Sequence, residues 1–152
     1  MRFIHVRMLL CAAIGLAVSL CAGCAATSYG ESRISPAELA KALQAPKAQQ
    51  PLVIQIGFRV MYQQAHIPGS EFIGPADDLE AIQRLRERVQ LLPRDAWIVL
   101  YCGCCPWDRC PNVAPAVKAM TAMGFTNVKV LYMATDFGTD WVSKGYPVQG
   151  GS

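Results

Sequence analysis

The sequence predicts an α/β fold, a single domain with a central parallel sheet covered by helices on both faces. Three short apolar runs rich in β-branched residues, at 52–56, 97–101 and 128–132, are each typical of a buried strand. Segments with helical periodicity separate these runs, and strands that alternate with helices pair in parallel. A length of 152 residues without internal repeats fits one domain.

The first 23 residues have the pattern of a secretory signal. Arg2 and Arg7 give a short basic start, and residues 8–22 are almost wholly apolar. This apolar stretch is shorter than the ~20 residues that a comfortable membrane span needs. We therefore expect residues 1–23 to be a signal peptide, although an uncleaved anchor would place the chain at the same membrane.

The end of this segment predicts a lipid anchor. Cys-Ala-Gly-Cys at 21–24 resembles a bacterial lipobox, in which the last cysteine is lipidated. Cys21 departs from the usual Leu, so ordinary cleavage after Ala26 stays open. We expect a lipid on Cys24 to hold the protein on the membrane as a cell-envelope lipoprotein of the periplasmic face, at the outer membrane in preference to the inner.

Composition and charge restrict the remaining chain. Apolar residues make up 53% and charged residues 16%, which excludes a disordered chain. Loss of the two arginines of the signal would leave 12 basic and 11 acidic residues, and no basic run is interleaved with aromatic residues. No nucleic-acid partner is therefore expected. The domain organisation predicted is a signal peptide at 1–23, a tether at 24–33 and a folded domain at 34–149.

Local patterns predict the elements of the amino-terminal half. Ser-Pro-Ala-Glu at 35–38 is a capping box with proline at the first helical position, which starts a helix that ends near Leu43. Residues 44–50 are expected to be a loop. The following segments are predicted as a strand at 52–56, one helical turn at 59–64, a Pro-Gly turn at 66–70 and a brief strand at 71–73.

Periodicity predicts the helices of the remaining half. In 77–92 one face is apolar (Leu79, Ile82, Leu85, Val89, Leu92) and the opposite face is charged and solvated (Glu80, Arg84, Glu87, Arg88). A helix at 113–123 directs Val113, Ala116, Val117 and Met120 inward and ends at Gly124. Met120 and Met123 are expected in the core. The last strand, at 128–132, precedes a short helix at 138–144.

The segment 101–112 concentrates the residues that could carry chemistry. It holds four cysteines within nine residues, with Trp107 and Arg109 between them: Cys102, Cys104, Cys105 and Cys110. It follows a strand and precedes a helix, where ligands bind in parallel sheets. Outside the cytoplasm thiols tend to oxidise, so the segment predicts disulfides, a redox-active or metal-bound site, or thiols that a reductant protects.

From about Ile34 to Val148 the chain resembles a rhodanese-like sulfurtransferase domain. The matching segments, in order, are 35–43, 52–56, Tyr62 with 66–70, 98–102, 124–128 and Trp141 with 145–148. The resemblance implies that Cys102, directly after the central strand, takes a sulfane sulfur as a persulfide and passes it to a thiol acceptor. It implies a small sulfur donor and a thiol acceptor as partners, and no cofactor.

The resemblance also implies roles for other residues of the segment. Arg109 is a candidate for binding an anionic donor such as thiosulfate. Trp107 is either a lid over the cysteines or a hydrophobic plug. Cys105 and Cys110 are expected to resolve the persulfide as a disulfide, and Cys104 could serve either as a resolving cysteine or as a second nucleophile.

The chain departs from the family pattern at three places, and one of them is that the enlarged loop carries three further cysteines. Gln55 and Gly57 stand where the family usually has an Asp and an Arg that fix the structure, and Arg59 is a candidate replacement. The loop is enlarged, because residues 103–108 separate Cys102 from Arg109. Counting from Cys104 instead restores the family's spacing, which makes Cys104 the second candidate nucleophile.

Other functions remain open. The cysteines could cycle between dithiol and disulfide without sulfur transfer, or the domain could be an inactive binding module. Four thiolates could hold zinc, but the spacing differs from paired Cys-x-x-Cys motifs. A phosphatase is disfavoured because Pro106 lacks an N–H group and Trp107 is bulky. His66 is interpreted as a structural turn residue, and Asp136 and Asp140 as helix caps.

Overall fold

The computed structural model describes residues 32–150. The predicted signal peptide at 1–23, the lipidation site at Cys24 and all but the last two residues of the predicted tether lie outside the described residues. Within 32–150, no helix has the length and apolar character needed to cross a membrane.

The sheet contains five parallel strands, which confirms the predicted α/β fold. The strands are β1 (Arg33–Ile34), β2 (Leu52–Gln55), β3 (Glu71–Phe72), β4 (Ile98–Tyr101) and β5 (Val128–Leu131). They are ordered β1-β5-β4-β2-β3, so β4 is central. The edge strand β1 was not predicted: Arg33, the last residue of the expected tether, already pairs with Val130, and Ile34 pairs with Leu131.

Within residues 32–150, five α-helices and two 3-10 helices lie between or after the strands. They are α1 (Pro36–Ala42), α2 (Arg59–Gln64), α3 (Leu79–Val89), α4 (Val113–Ala122), α5 (Phe137–Asp140) and the 3-10 helices Lys47–Gln49 and Val142–Lys144. The predicted capping box is present at Ser35 and Glu38, and Gly124 ends α4 with φ 82°. Two expectations were wrong: the 44–50 loop contains a helical turn, and the last helix is interrupted at Trp141 (φ −120°, ψ −63°).

The register of α3 also differs from the prediction. Asp78 caps the helix by accepting a hydrogen bond from the Glu80 N–H. Leu79, expected on the buried face, is 85% exposed, whereas Leu85 and Val89 are fully buried. The buried face is completed by Ala81. Position in the first turn does not explain the exposure of Leu79, because Ala81 in the same turn is fully buried.

The charged face of α3 is partly engaged with the sheet edge. The Arg84 Nε donates to the carbonyl oxygen of Ile73 at 2.9 Å, and the Arg88 Nη2 donates to Glu71 at 2.8 Å. These contacts hold α3 against the segment that contains β3, so this face is more than the solvated surface that the sequence predicts.

Two apolar layers cover the sheet. One packs α3 and α4 against residues such as Ile54 and Leu100, and it extends to Cys102 and Cys110. The other packs α1 and α5 against Val99 and the opposite sides of the neighbouring strands. All four residues of β4 are buried. The central strand is therefore rigidly held, and its carboxyl end fixes the start of the cysteine-rich segment.

Candidate active site

Cys102 directly follows the central strand β4 and is only 3% exposed. The neighbouring strand β2 ends at Gln55, which pairs with Tyr101. The buried Gln55 amide donates from Nε2 to the Cys102 carbonyl oxygen at 3.0 Å and accepts at Oε1 from the Gly57 N–H at 3.2 Å. This neutral side chain thus joins the two strand ends and fixes the backbone of Cys102.

Gly57 faces the Cys102 sulfur across this junction. A Cβ atom at position 57 would lie 2.8 Å from the Cys102 Sγ and 2.9 Å from its carbonyl oxygen. A side chain therefore cannot be accommodated without moving Cys102. Arg59 does not take over the missing charged role, because its guanidinium lies over the Phe72 ring at 4.4 Å from the ring centroid.

The structure brings the four cysteines of the segment together as free thiols. The Cys104 Sγ lies 3.3 Å from that of Cys102, 3.1 Å from that of Cys105 and 3.9 Å from that of Cys110. Cys104 is therefore in contact with each of the other three sulfurs. If one of these three cysteines carries a disulfide to another molecule, the Cys104 sulfur could attack it without a large movement of the chain.

Asn112 is a site residue that the sequence analysis did not single out. Its side chain is fully buried, and its Nδ2 lies 3.3 Å from the Cys102 Sγ and 3.9 Å from the Cys110 Sγ. Its Oδ1 accepts the Asp77 N–H at 3.0 Å, which orients the amide with its donors toward the sulfurs. The feature of the sequence that could have identified Asn112 is its place between the last cysteine of the segment and the start of helix α4.

The thiols differ in acidity. The pKa of Cys110 is lowered to about 5, because the neighbouring Cys102 thiol, with its sulfur within 4.8 Å, and the Asn112 backbone stabilise the Cys110 thiolate. The pKa of Cys102 is raised, because its proton is held beside the Cys110 sulfur and because it is buried. Burial also raises the pKa of Cys105 to about 12. The first negative charge of the cluster therefore forms on Cys110 and is shared by hydrogen bonds.

A pocket of about 360 Å³ opens beside the sulfurs at the carboxyl end of the sheet. Cys102 and Cys104 line it, together with apolar side chains that include Met61 and Phe137. Of the lining residues within 32–150, Asp136 alone is charged, and it also caps α5 by accepting the Thr139 N–H at 2.7 Å. The described part of the chain contributes no basic side chain to this lining, which is therefore poorly suited to hold a multiply charged anion.

Arg109 and Trp107 lie away from this pocket. Arg109 is exposed and does not line the cavity. The Trp107 indole packs on the Tyr132 ring at a centroid distance of 6.2 Å. The backbone N–H of Trp107 donates to the Met133 carbonyl oxygen at 3.0 Å. Arg33 lies over the indole at 5.0 Å. Trp107 anchors the loop to the β1–β5 side of the sheet, as expected of a plug and not of a lid.

The remaining polar candidates have structural positions. The His66 ring stacks on Tyr62 at 3.8 Å and its Nδ1 lies 2.7 Å from the Tyr62 carbonyl oxygen, contacts that agree with the interpretation of His66 as a structural residue. Asp136 caps α5 as predicted. Asp140 accepts the Thr135 N–H at 2.6 Å and holds the preceding turn. Met120 is fully buried in the core, as expected.

Fold and site together define a parallel α/β domain that presents a cysteine at the carboxyl end of its central strand, above a small pocket. The chain belongs to the rhodanese-like domain family, whose profile matches residues 35–134. The resemblance predicted from the sequence is thereby confirmed. No curated protein gives a significant match to the sequence.

Solved structures agree with this assignment. The rhodanese-like domain of an Anabaena protein superposes with a TM-score of 0.56 at 20% identity, over 78% of this chain and 79% of that one. A thiosulfate sulfurtransferase from Pseudomonas aeruginosa gives a TM-score of 0.56 at 25% identity, over 79% of this chain but only 19% of that one. An EanB variant with a cysteine persulfide and ergothioneine gives 0.54 at 21% identity, over 78% and 28%.

Proposed function

We propose that this domain is a sulfurtransferase that carries sulfane sulfur as a persulfide on Cys102. The observation that carries this proposal is the position of the Cys102 sulfur, at the end of the central strand, facing Gly57 and lining the pocket. The family assignment and the likeness to a thiosulfate sulfurtransferase support the reaction class.

In the loading step, the Cys102 thiolate attacks the sulfane sulfur of a donor persulfide. The new S–S bond forms on Cys102, the donor's S–S bond breaks, and the donor leaves as a thiolate. As the attack proceeds, the Cys102 thiol passes its proton to the Cys110 thiolate, whose sulfur lies within 4.8 Å of the Cys102 sulfur. In the unloading step, an acceptor thiolate attacks the outer sulfur and Cys102 leaves as a thiolate, which restores the starting state.

Cys104 offers the persulfide a second fate. Its sulfur lies 3.3 Å from that of Cys102, so its thiolate can attack the inner sulfur of the persulfide. A Cys102–Cys104 disulfide then forms and hydrosulfide leaves. Two electrons and two protons from an external dithiol are needed to return this disulfide to the free thiols. Cys105 could continue the exchange, since it lies 3.1 Å from Cys104.

The lining of the pocket indicates the charge of the donor. Asp136 contributes a negative charge, and no basic residue among 32–150 lines the pocket to offset it. A persulfide of low net charge, such as cysteine persulfide, should therefore load Cys102 faster than thiosulfate. The expected role of Arg109 in binding thiosulfate remains a proposal that would require the exposed arginine to approach the pocket.

The test is sulfur loading measured by intact mass after anaerobic incubation of the full chain with cysteine persulfide or thiosulfate. We expect the wild type to gain one cyanolysable sulfur, Cys102→Ser to gain none, and Cys104→Ser to keep its persulfide longer. Cys105→Ser is the matched control from the same loop. If Cys102→Ser loads as fully as the wild type, Cys102 is not the carrier.

Thiol–disulfide exchange without sulfur transfer is the second candidate function. The three sulfur–sulfur contacts of Cys104, between 3.1 and 3.9 Å, favour it. Disulfide mapping of the protein at defined redox potentials tests it. A reversible two-electron transition combined with no sulfur loading by any donor would support exchange and exclude transfer.

The site of action that we propose is the cell envelope. The motif at 21–24 supports lipidation of Cys24, which would hold the domain at the periplasmic face of a membrane with small sulfur compounds and thiols as partners. Fractionation of cells that express the wild type or Cys24→Ser tests this. Recovery of both proteins in the same fraction would contradict a lipid anchor on Cys24.

A further inference from the structure

We propose that Cys102, Cys104 and Cys110 form a three-sulfur binding site for a single thiophilic metal ion, with Cu(I) as the preferred ion. The Sγ atoms of these residues all lie within 4.8 Å of one another. Two of the three separations, 3.3 Å and 3.9 Å, already approximate those of thiolates that share one ion. The site is distinct in chemistry from sulfur transfer, although it uses the Cys102 sulfur.

The positions of the ligands resolve a difficulty in the sequence. Four closely spaced cysteines suggested a tetrahedral site, but adjacent residues such as Cys104 and Cys105 are poorly placed to bind one ion together. In the structure, Cys105 is not a member of the converging group. The three remaining sulfurs come from alternate positions of the loop and from the residue that precedes helix α4 by three positions.

The composition of the group indicates the metal. Thiolates are soft ligands that select Cu(I), zinc and iron–sulfur clusters over hard cations. Structural zinc is almost always bound by four ligands, and the group contains three sulfurs without a histidine or carboxylate. A three-coordinate d¹⁰ ion with a preference for sulfur satisfies this set, and Cu(I) is such an ion.

The surroundings of the sulfurs support a bound ion. Cys102 and Cys110 are 3% and 5% exposed, so an ion between them would be shielded from water and oxidants. Asn112 directs its Nδ2 at the sulfurs of both residues. Hydrogen bonds of this kind from outside the ligand set orient metal-binding side chains and stabilise the charge on them.

The experiment is an anaerobic titration of the reduced full chain with Cu(I) against a chromophoric Cu(I) chelator, repeated with Zn(II). We expect one Cu(I) per chain. Affinity should fall at least tenfold in Cys102→Ser, Cys104→Ser and Cys110→Ser, and should not change in Cys105→Ser, the matched control. Circular dichroism of each variant establishes that it is folded.

X-ray absorption of the copper-loaded wild type gives a measurement that does not depend on any variant. Three sulfur ligands per copper are expected. Failure to compete with the chelator, several coppers per chain, or equal weakening by Cys105→Ser would overturn the proposal. A four-ligand zinc site that requires Cys105 would overturn it as well. Metal stoichiometry and sulfur loading are separate readouts, so either proposal can fail without the other.

Discussion

At the scale of single residues, the position of Cys102, the proposed nucleophile, depends on one small neighbour. Gly57 stands where the family usually has an arginine, and the structure gives a steric reason, because a Cβ atom there would lie 2.8 Å from the Cys102 sulfur. Its φ angle is not positive, so the requirement is for space and not for a left-handed backbone. The absence of the family's Asp and Arg at positions 55 and 57 therefore goes together with the close approach of the Cys102 sulfur to position 57.

Gly57→Ala should displace Cys102 and reduce its persulfide loading at least tenfold. Gly124→Ala is the control, because Gly124 has φ 82° with open space around it. That substitution should lower stability by about 1–2 kcal/mol while loading is retained. Loading by intact mass and urea unfolding measure the two effects. Normal loading in Gly57→Ala would contradict the steric role of the glycine.

Asn112 acts on the sulfurs as a positioning residue. Asn112→Asp keeps an oxygen for the Asp77 N–H but replaces the Nδ2 donor with a second oxygen beside Cys102 and Cys110. We expect the pH midpoint for thiolate formation in the cluster to rise by about one unit. Alkylation rates of individual cysteines against pH, with the wild type as reference, measure this. An unchanged midpoint would mean that the amide donor does not stabilise thiolate.

At the scale of elements, sequence patterns predicted most of the fold. The strand predicted at 52–56 and the helix that begins with the capping box at 35–38 depend on local sequence, and both elements are present. Edge strand β1 was missed because two residues carry no periodicity, and it exists through pairing with β5. The last helix was predicted as continuous because its interruption at Trp141 depends on burial of the indole, which hydrogen-bonds to the Pro147 carbonyl.

Helix α3 offers a matched pair of leucines. Leu79 is 85% exposed and Leu85 is fully buried, although the sequence placed both on one apolar face. Leu85→Ala should cost about 2–5 kcal/mol of unfolding free energy, and Leu79→Ala should change it by less than about 0.5 kcal/mol. Chemical denaturation of both variants measures the difference. Equal losses of unfolding free energy in the two variants would mean that both leucines are buried, as the periodicity predicted.

At the scale of the whole molecule, the site is assembled from segments that are far apart in the chain. The cysteine-rich loop could be selected from the sequence by its composition alone. The contacts of Gln55 and Gly57 with Cys102 could not, because they arise from strand pairing between segments that are 47 positions apart for Gln55. The contact of Asn112, only 10 positions from Cys102, depends on how the enlarged loop folds back before α4. Arg109, which the resemblance made a candidate anion ligand, and Trp107 lie in the enlarged loop and do not line the pocket, a placement that the sequence alone could not give.

Stability of the folded domain should pass through a maximum near pH 9. The pKa of Cys110 is lowered to about 5 from about 9, so the unfolded chain binds an extra proton between these values and stability rises with pH. Above pH 9, Cys102 and Cys105, whose pKa values are raised, keep protons that the unfolded chain loses, and stability falls.

Urea unfolding under reducing conditions between about pH 6 and 9 measures the rising part of this profile. This interval lies above the pH range in which ordinary carboxylates titrate. Cys110→Ser should flatten it. A slope that is the same in the variant and the wild type would show that the proton taken up on unfolding does not belong to Cys110.

The Gln55 amide that joins β2 to the Cys102 carbonyl has one further consequence. An amide neither gains nor loses a proton across the biological pH range, whereas a carboxylate at this position would lose its charge in acid. The link between β2 and the backbone of Cys102 is thus independent of pH, so a change in acidity leaves this junction in place while the protonation of the sulfurs beside it varies.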